Sequence, residues 1–366
     1  MWILQSSDIM TTVTNVFISI IISILVSAAL GYPAMRLAQR FGLMDIPGSA
    51  PHKQHTRPTL LAGGALVLMA LTLITLLLRQ WLAREIFIVL CGSLVILLFG
   101  FWDDARGLSS FPKLVGQFIA SAILIAGGIQ VNIFESLILF RGLPEIVILI
   151  LNLGVTILWL VGITNAMNLV DSMDGLVAGL GIVTSAFFLG ATSISNQPTL
   201  TVFSAVVLGV CIGLYFWNSH PAYFFLGDSG AQTLGFLLAA IGILYTPLGL
   251  EQESSWFVPI MLLSVPIFDT TLVVLSRFLG KQPVRQGRRD HTYHRLVVLG
   301  LAPSRAVLVI QLTALIISCL AFFALSLPPL LANIAFGLMI LCGLIILVWL
   351  VQKPTLDKNR EETIEV

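Results

Sequence analysis

The sequence predicts an all-α polytopic membrane protein with about eleven transmembrane helices and its chemistry gathered on one face. Three observations carry that prediction. Of the 366 residues, 57% are hydrophobic and only 10% are charged, against about 25% charged in a soluble domain. A water-facing fold has no use for so much apolar surface. The apolar residues come in runs of about 20, the length that crosses a hydrocarbon core. The third observation is that Lys and Arg between those runs fall almost wholly on alternate connections. The net charge of +1 carries no signal for nucleic acid, and none is expected as a partner.

In chain order the runs are 13–35, 61–79, 86–102, 112–131, 144–164, 175–195, 199–217, 230–249, 256–276, 305–326 and 329–351. Residues 1–12 contain no Lys or Arg, so the start lacks the basic segment of a signal peptide, and the first run is read as a retained span. The runs 61–79 and 175–195 are interrupted by small residues. No internal repeat or soluble domain stands out, so 1–351 is expected to be one transmembrane domain, followed by a polar, cytoplasmic tail at 352–366. Cys91, Cys211, Cys319 and Cys342 lie far apart inside apolar runs; they show neither metal spacing nor a disulfide framework and are expected to act as packing residues.

With the 36–60 loop cytoplasmic, alternation puts loops 103–111, 165–174, 218–229, 277–304 and the tail on that side. Sixteen of the nineteen Lys and Arg then face the cytoplasm; only Arg79, Arg84 and Arg141 do not. All five histidines fall on the basic side, as do Asp103, Asp104, Asp171, Asp174 and Asp228.

Five stretches there carry chemistry. "GFWDDARGLSS" ends an apolar run in Asp103 and Asp104. A helix C-terminus carries partial negative charge, so two carboxylates there require a cation, which favours a metal or catalytic role over a solvated helix end. "NAMNLVDSMDGL" places Asn165, Asn168, Asp171 and Asp174 at three-residue intervals. An α-helix would walk these four around its axis, whereas a 3₁₀ segment would align them. Amides with carboxylates suit a nucleobase, a sugar or hydrated Mg²⁺. In "FFLGDSGAQTLGF", Asp228 reads equally well as a ligand and as the N-cap of the following helix. "QGRRDHTYHRL" gathers Arg288, Arg289, His291, His294 and Arg295. No third zinc ligand stands nearby, so phosphate binding suits the cluster better. "GSAPHKQHTRPTLLAGG" holds Lys53 and His55 among prolines that forbid a continuous helix, a basic interfacial segment that attracts anionic head groups. A sixth feature, Asp269, lies inside an apolar run, where an ionisable residue is a functional candidate. Arg277 or a backbone break near Pro266 is its expected partner.

Together, carboxylates, phosphate donors, polar nucleobase-reading groups and a lipid surface point to phosphoryl transfer from a soluble nucleotide donor to a membrane-held phosphate. "FWDDARGL", "NAMNLVDSMDGL", "FFLGDSGAQTLGF" and "HTYHRL", with "HTRPTLLAGG" upstream, resemble the polyprenyl-phosphate N-acetylhexosamine-1-phosphate transferase family. The resemblance spans roughly 36–300. It is nearer the WecA and TagO branch than MraY, because the triple-histidine block of the latter is missing. The resemblance implies transfer of sugar-1-phosphate from a UDP-N-acetylhexosamine, with UDP-N-acetylglucosamine the expected donor, to undecaprenyl phosphate, releasing UMP and initiating cell-surface polysaccharide synthesis. It also implies Mg²⁺ or Mn²⁺, the bacterial inner membrane with a cytoplasmic site, and a homodimer. By family motif, Asp228 with Asp103 and Asp104 would hold metal or handle the acceptor, with Asp171 a further metal ligand. Asn165, Asn168, Asp171 and Asp174 would read the donor. Arg289, His291 and His294 would contact phosphates, and Lys53 and His55 would line the site. Two positions depart from the family: Ser172 where relatives usually carry Gly, and Tyr293 where the branch often has His. The alternatives are another UDP-N-acetylhexosamine, an MraY-like phospho-N-acetylmuramoyl-pentapeptide transfer or, remotely, a transporter. A transporter would place polar groups near the midplane in both halves.

Overall fold

The computed structural model describes residues 2–48, 57–135, 140, 142–247, 256–281, 289–353 and 355, with side chains from Val13 onward. Helices form over the apolar runs, in order: α1 (Trp2–Arg40), α2 (Gly63–Leu77), α3 (Arg84–Arg106), α4 (Ser110–Ala126), α5 (Glu145–Val170), α6 (Leu176–Ile194), α7 (Pro198–Asn218), α8 (Gly227–Leu244), α9 (Phe257–Leu262), α10 (Ser264–Leu279), α11 (Thr292–Val298), α12 (Pro303–Ala324) and α13 (Pro329–Val351). Among the described residues the only sheet is the antiparallel pair β1 (Met44–Asp45) and β2 (Thr59–Leu60).

Among the described residues eight helices are long and apolar enough to cross a membrane: α1 from Val13, α3, α5, α6, α7, α8, α12 and α13. The protein is therefore a multi-pass membrane protein. The helices α2 and α4 are equally apolar but only 15 and 17 residues long. The run 256–276 departs from the expected single span by dividing at Leu263 into α9 and α10. Its cause is Pro266, which has no N–H to give the Leu262 carbonyl one turn back. Thr184 of α6 supplies the missing donor, its Oγ1 bonding that carbonyl at 3.1 Å. A freed carbonyl at membrane depth is tolerated only when such a partner exists.

The bundle is organised around α7 and α8. The first packs between α1 and α6, the second among α2, α3 and α5. α8 is rich in Gly, Ala and Ser, and α7 sets Gly209 and Gly213 against Ser23 and Ser27 of α1, small residues that let helix backbones approach closely where lipid gives no hydrophobic drive between helices. The outer helices turn large apolar side chains outward, among them Phe278, Leu330 and Ile345, as a lipid-facing surface requires.

One end of the bundle is held by backbone bonds. Phe225 N–H donates to the Leu60 carbonyl at 2.9 Å, while Ala62 and Gly63 N–H donate to the Phe225 carbonyl at 3.2 and 3.1 Å. A Cβ at Gly63 would lie 2.5 Å from Leu226 Cα, so only glycine permits this approach. The start of α2 is thereby strapped to the turn that opens α8, and the ends of α3 and α5 meet at the same turn.

Candidate active site

The first helix end carries the acidic pair. α3 continues to Arg106, beyond the expected 102, so Asp103 and Asp104 occupy its last turn before Gly107 closes it. Neighbours on a helix point to different sides, and the two carboxylates have different partners. Asp103 accepts the Leu108 N–H at 2.5 Å and is ion-paired with Lys113 of α4. The same ammonium reaches Asp228 Oδ2 at 2.5 Å. The other Asp228 oxygen accepts Asn168 Nδ2–H at 2.8 Å. Lys113 is thus the cation that the acidic helix end demands.

Asp104 instead faces the beginning of α8. It accepts the Asp228 N–H at 2.7 Å, the Ser229 N–H at 3.2 Å and the Ser229 hydroxyl at 2.5 Å. A helix start leaves its first N–H groups without intrahelical partners, and Asp104 supplies acceptors for two of them from another helix. Gly227 precedes them with φ 71°, and a Cβ there would stand 2.7 Å from Asp104 Oδ2. Asp228 is therefore not its own cap; its carboxylate stays directed to Lys113 and Asn168.

The Asn/Asp stretch divides. α5 remains α-helical to Val170, so the four residues do not align. Asn168 reaches Asp228. Asn165, expected to read the donor, is placed elsewhere: its amide bonds Gln117 Oε1 at 2.6 Å and the Val161 carbonyl at 2.8 Å. Gln117 continues to Gln232 at 3.0 Å. This polar chain joins α4, α5 and α8 a turn below the lip. Asp171 ends α5. Burial pushes its carboxyl well above the usual range, and the charges of Asp228, Asp104 and Asp174 push it further. Asp174 accepts the Ala222 N–H at 3.2 Å and pairs with His220 Nδ1 at 3.0 Å.

The histidine segment is clamped from beneath by α10. Asp269 accepts His291 Nδ1–H at 2.8 Å and the Thr292 N–H at 2.6 Å, so its partner is neither Arg277 nor a backbone break. Arg277 forms a two-point pair with Asp290, at 2.8 and 2.9 Å. Burial raises the Asp290 carboxyl, but the Arg277 bond and charge, with His291 adding, hold it below its ordinary value. Arg295 is fully buried and donates to the carbonyls of Leu350 and Lys353 at 2.7 Å each, to the Asp290 carbonyl at 3.2 Å and to Ser276 Oγ at 2.7 Å. Tyr293 bonds its neighbour His294. Its phenol also meets the Ser172 hydroxyl and feels the charge of Arg289. The two positions that depart from the family pattern therefore touch each other, and they join the Asp171 lip to the histidine segment.

The structure thus gathers Asp103, Asp104, Asn168, Asp171 and Asp228 at one place, with His291, His294 and Arg289 adjoining through Ser172 and Tyr293. Lys53 and His55 lie outside the described residues, as does Arg288. Sequence reasoning missed Lys113, which it counted only as a topological charge, and His220 as the partner of Asp174. Carboxylate oxygens are hard donors suited to Mg²⁺ or Mn²⁺. Two such groups, Asp103 and Asp228, share one ammonium, and Asp171 lies buried within reach of the charges of Asp228 and Asp104, a donor set whose chemistry fits a divalent cation. Among the described residues no three acidic, His or Cys side chains stand at ligating spacing, with Lys113 lying between Asp103 and Asp228.

A multi-pass helical bundle with acidic, amide and imidazole groups collected at one end defines a membrane-embedded group-transfer enzyme. Residues 86–246 match glycosyl transferase family 4. A decaprenyl-phosphate N-acetylglucosaminephosphotransferase of Mycolicibacterium smegmatis is 31% identical over 75% of this chain and 74% of its own length. A probable undecaprenyl-phosphate N-acetylglucosaminyl 1-phosphate transferase of Bacillus subtilis is 29% identical over 93% and 92%. A phospho-N-acetylmuramoyl-pentapeptide-transferase of Aquifex aeolicus is 28% identical over 77% and 82%. The chain belongs to this family of polyprenyl-phosphate sugar-1-phosphate transferases.

Proposed function

We propose that the enzyme transfers N-acetylglucosamine-1-phosphate from UDP-N-acetylglucosamine to undecaprenyl phosphate at the cytoplasmic face of a bacterial inner membrane, releasing UMP. The observation that carries this reading is the cluster of Asp103, Asp228, Lys113 and Asn168 where the ends of α3 and α5 meet the start of α8, at one end of a lipid-facing bundle. The relative matched over nine-tenths of both chains supports the choice of sugar and acceptor.

In this reading an oxygen of the acceptor phosphate attacks the phosphorus attached to the sugar. The bond from that phosphorus to the bridging oxygen breaks, and UMP leaves with the bridge. Asp103, Asp171 and Asp228 would hold the divalent cation; Asp104 would not, since its oxygens already serve the start of α8. When bound, the cation neutralises the diphosphate and stabilises charge developing on the leaving group. Lys113 offers its ammonium to the incoming acceptor phosphate, and Asp103 beside it takes the proton of a monoanionic acceptor. Asn168 holds Asp228 in place. Arg289, His291 and His294 meet the phosphates of the donor. A single in-line displacement, with Asp103 as base, inverts the configuration at phosphorus.

The test is UMP release by the purified protein in liposomes, with each UDP-N-acetylhexosamine in turn. UMP should appear with UDP-N-acetylglucosamine only when undecaprenyl phosphate and Mg²⁺ or Mn²⁺ are both present. Release without the lipid, or with none of the UDP-sugars, overturns the reading. A chiral-phosphorus donor should give inversion; retention would require two displacements.

A further inference from the structure

We propose that Asp269 is a positioning residue that acts through His291. It fixes Nδ1–H against its own carboxylate and leaves Nε2 as the ring atom that meets donor phosphate. This rests on the reading that His291 is a phosphate contact. It goes further by assigning the orientation and tautomer of the ring to a carboxylate in a helix below the site.

Three features support it. First, Asp269 is a buried carboxylate, 1% exposed, and a charge so placed is kept only with a partner. Arg277, on the same helix, pairs with Asp290 at two points, and it is the His291 imidazole that meets Asp269. Second, both carboxylate oxygens reach the start of α11, one the His291 ring at 2.8 Å and the other the Thr292 N–H at 2.6 Å. The ring and the backbone that bears it are thus fixed by one group. Third, the segment is held independently of Asp269. Arg277 binds Asp290, and Arg295 binds the Asp290 carbonyl, Ser276 and the end of α13. The fold of 289–298 therefore does not need Asp269 as its sole anchor, which leaves orientation of the imidazole as its particular contribution.

The chemistry follows from which nitrogen is fixed. An imidazole whose Nδ1–H is bound to a carboxylate keeps that proton in both charge states, so only Nε2 gains or loses one. With Nε2 protonated, the ring is a charge-assisted donor to phosphate, and the Asp269 carboxylate behind it balances the imidazolium. The charged and titratable groups around the pair are Asp290, Arg277, Arg295, Tyr293 and His294, which contribute two cations and one anion in addition to His294 and the phenol.

A double-mutant cycle on the full-length protein in liposomes tests this, reading kcat/KM for UMP release. Asp269→Asn should lower kcat/KM at least ~10-fold, the range for losing a group that orients another. In a His291→Gln background the same change should cost less than ~3-fold, because the ring through which Asp269 acts is gone. Equal losses in both backgrounds would reduce Asp269 to a cap for α11 and overturn the proposal. If His291→Gln alone leaves kcat/KM intact, it is the phosphate reading of His291 that falls; if it impairs turnover while Asp269→Asn does not, only the present inference falls. Should Asp269→Asn fail to fold, ¹⁵N spectra of the histidine-labelled wild type decide, with His291 assigned by the signal lost in His291→Gln. The neutral His291 ring should carry its proton on Nδ1. A proton on Nε2 would refute the proposal.

Discussion

Asp104→Asn and Asp103→Asn make the sharpest test of the divided acidic pair. Asp104 accepts three hydrogen bonds, two from backbone N–H groups at the start of α8. A hydrogen bond to a charged acceptor contributes about 1.5–3 kcal/mol. Asn keeps one carbonyl oxygen, which can still serve the Asp228 N–H at 2.7 Å. Its NH₂ then faces the Ser229 N–H, donor against donor. One charge-assisted bond is lost and a buried donor is left unmatched, about 3 kcal/mol in all. For a chain of this size that lowers Tm by about 5 °C. Asp103→Asn keeps an acceptor for Leu108 and an amide of the same size, and Lys113 keeps Asp228, so Tm should stay within about 2 °C. Both variants should lower turnover at least ~100-fold: Asp103 by losing charge in the site, Asp104 by releasing the backbone that carries Asp228. Melts in detergent by intrinsic fluorescence, beside UMP release, separate the two. If Asp104→Asn melts like wild type, or if Asp103→Asn is fully active, the division of roles is wrong.

Lys113→Gln removes the cation between Asp103 and Asp228; UMP release should fall at least ~10-fold, and added Mg²⁺ should raise its Tm more than that of wild type, since like charges are left facing each other. Wild-type behaviour in both assays would remove Lys113 from the site. Asp171 is held above its ordinary value in the fold, so its contribution to stability is complete below about pH 4 and declines as pH rises toward the folded value. In EDTA, Asp171→Asn should therefore melt increasingly above wild type from pH 5 to 8, and saturating Mg²⁺ should close the gap; a gap independent of pH contradicts the buried cluster. Asp290 is held below its ordinary value, so its contribution is complete above about pH 4 and is lost as pH falls through the folded value. The Tm deficit of Asp290→Asn should be constant from pH 5 to 7 and shrink on acidification; a deficit that grows with acid would refute the Arg277 pairing.

Much of the architecture was legible because lipid imposes a one-dimensional rule, about 20 apolar residues per crossing, which composition alone satisfies or fails. The division at Leu263 was less so: Pro266 announces a break, but whether the chain can afford one depends on Thr184, eighty residues away in sequence. In the site, Asp103 and Asp104 were legible as anions needing a cation, while Asp228 read equally as a ligand and as a helix cap. Asn165 misled because a three-residue interval looks like one face, whereas six residues of α-helix separate it from Asp171 by about one and two-thirds turns. Lys113 was hidden among charges that set topology. Asp269 was visible as an ionisable group in an apolar run, but its partner lies across a loop of unreadable path, and the nearer Arg277 was the natural guess.

Arg295 joins the histidine segment to the carbonyls of Leu350 and Lys353, and this bears on how the far end of the polypeptide can be altered. Shortening the chain to 349 would take away both acceptors and leave a buried guanidinium with only the Asp290 carbonyl and Ser276, so the histidine segment would be loosened through a deletion remote from it in sequence. A purification tag or reporter joined after residue 353 leaves both acceptors in place.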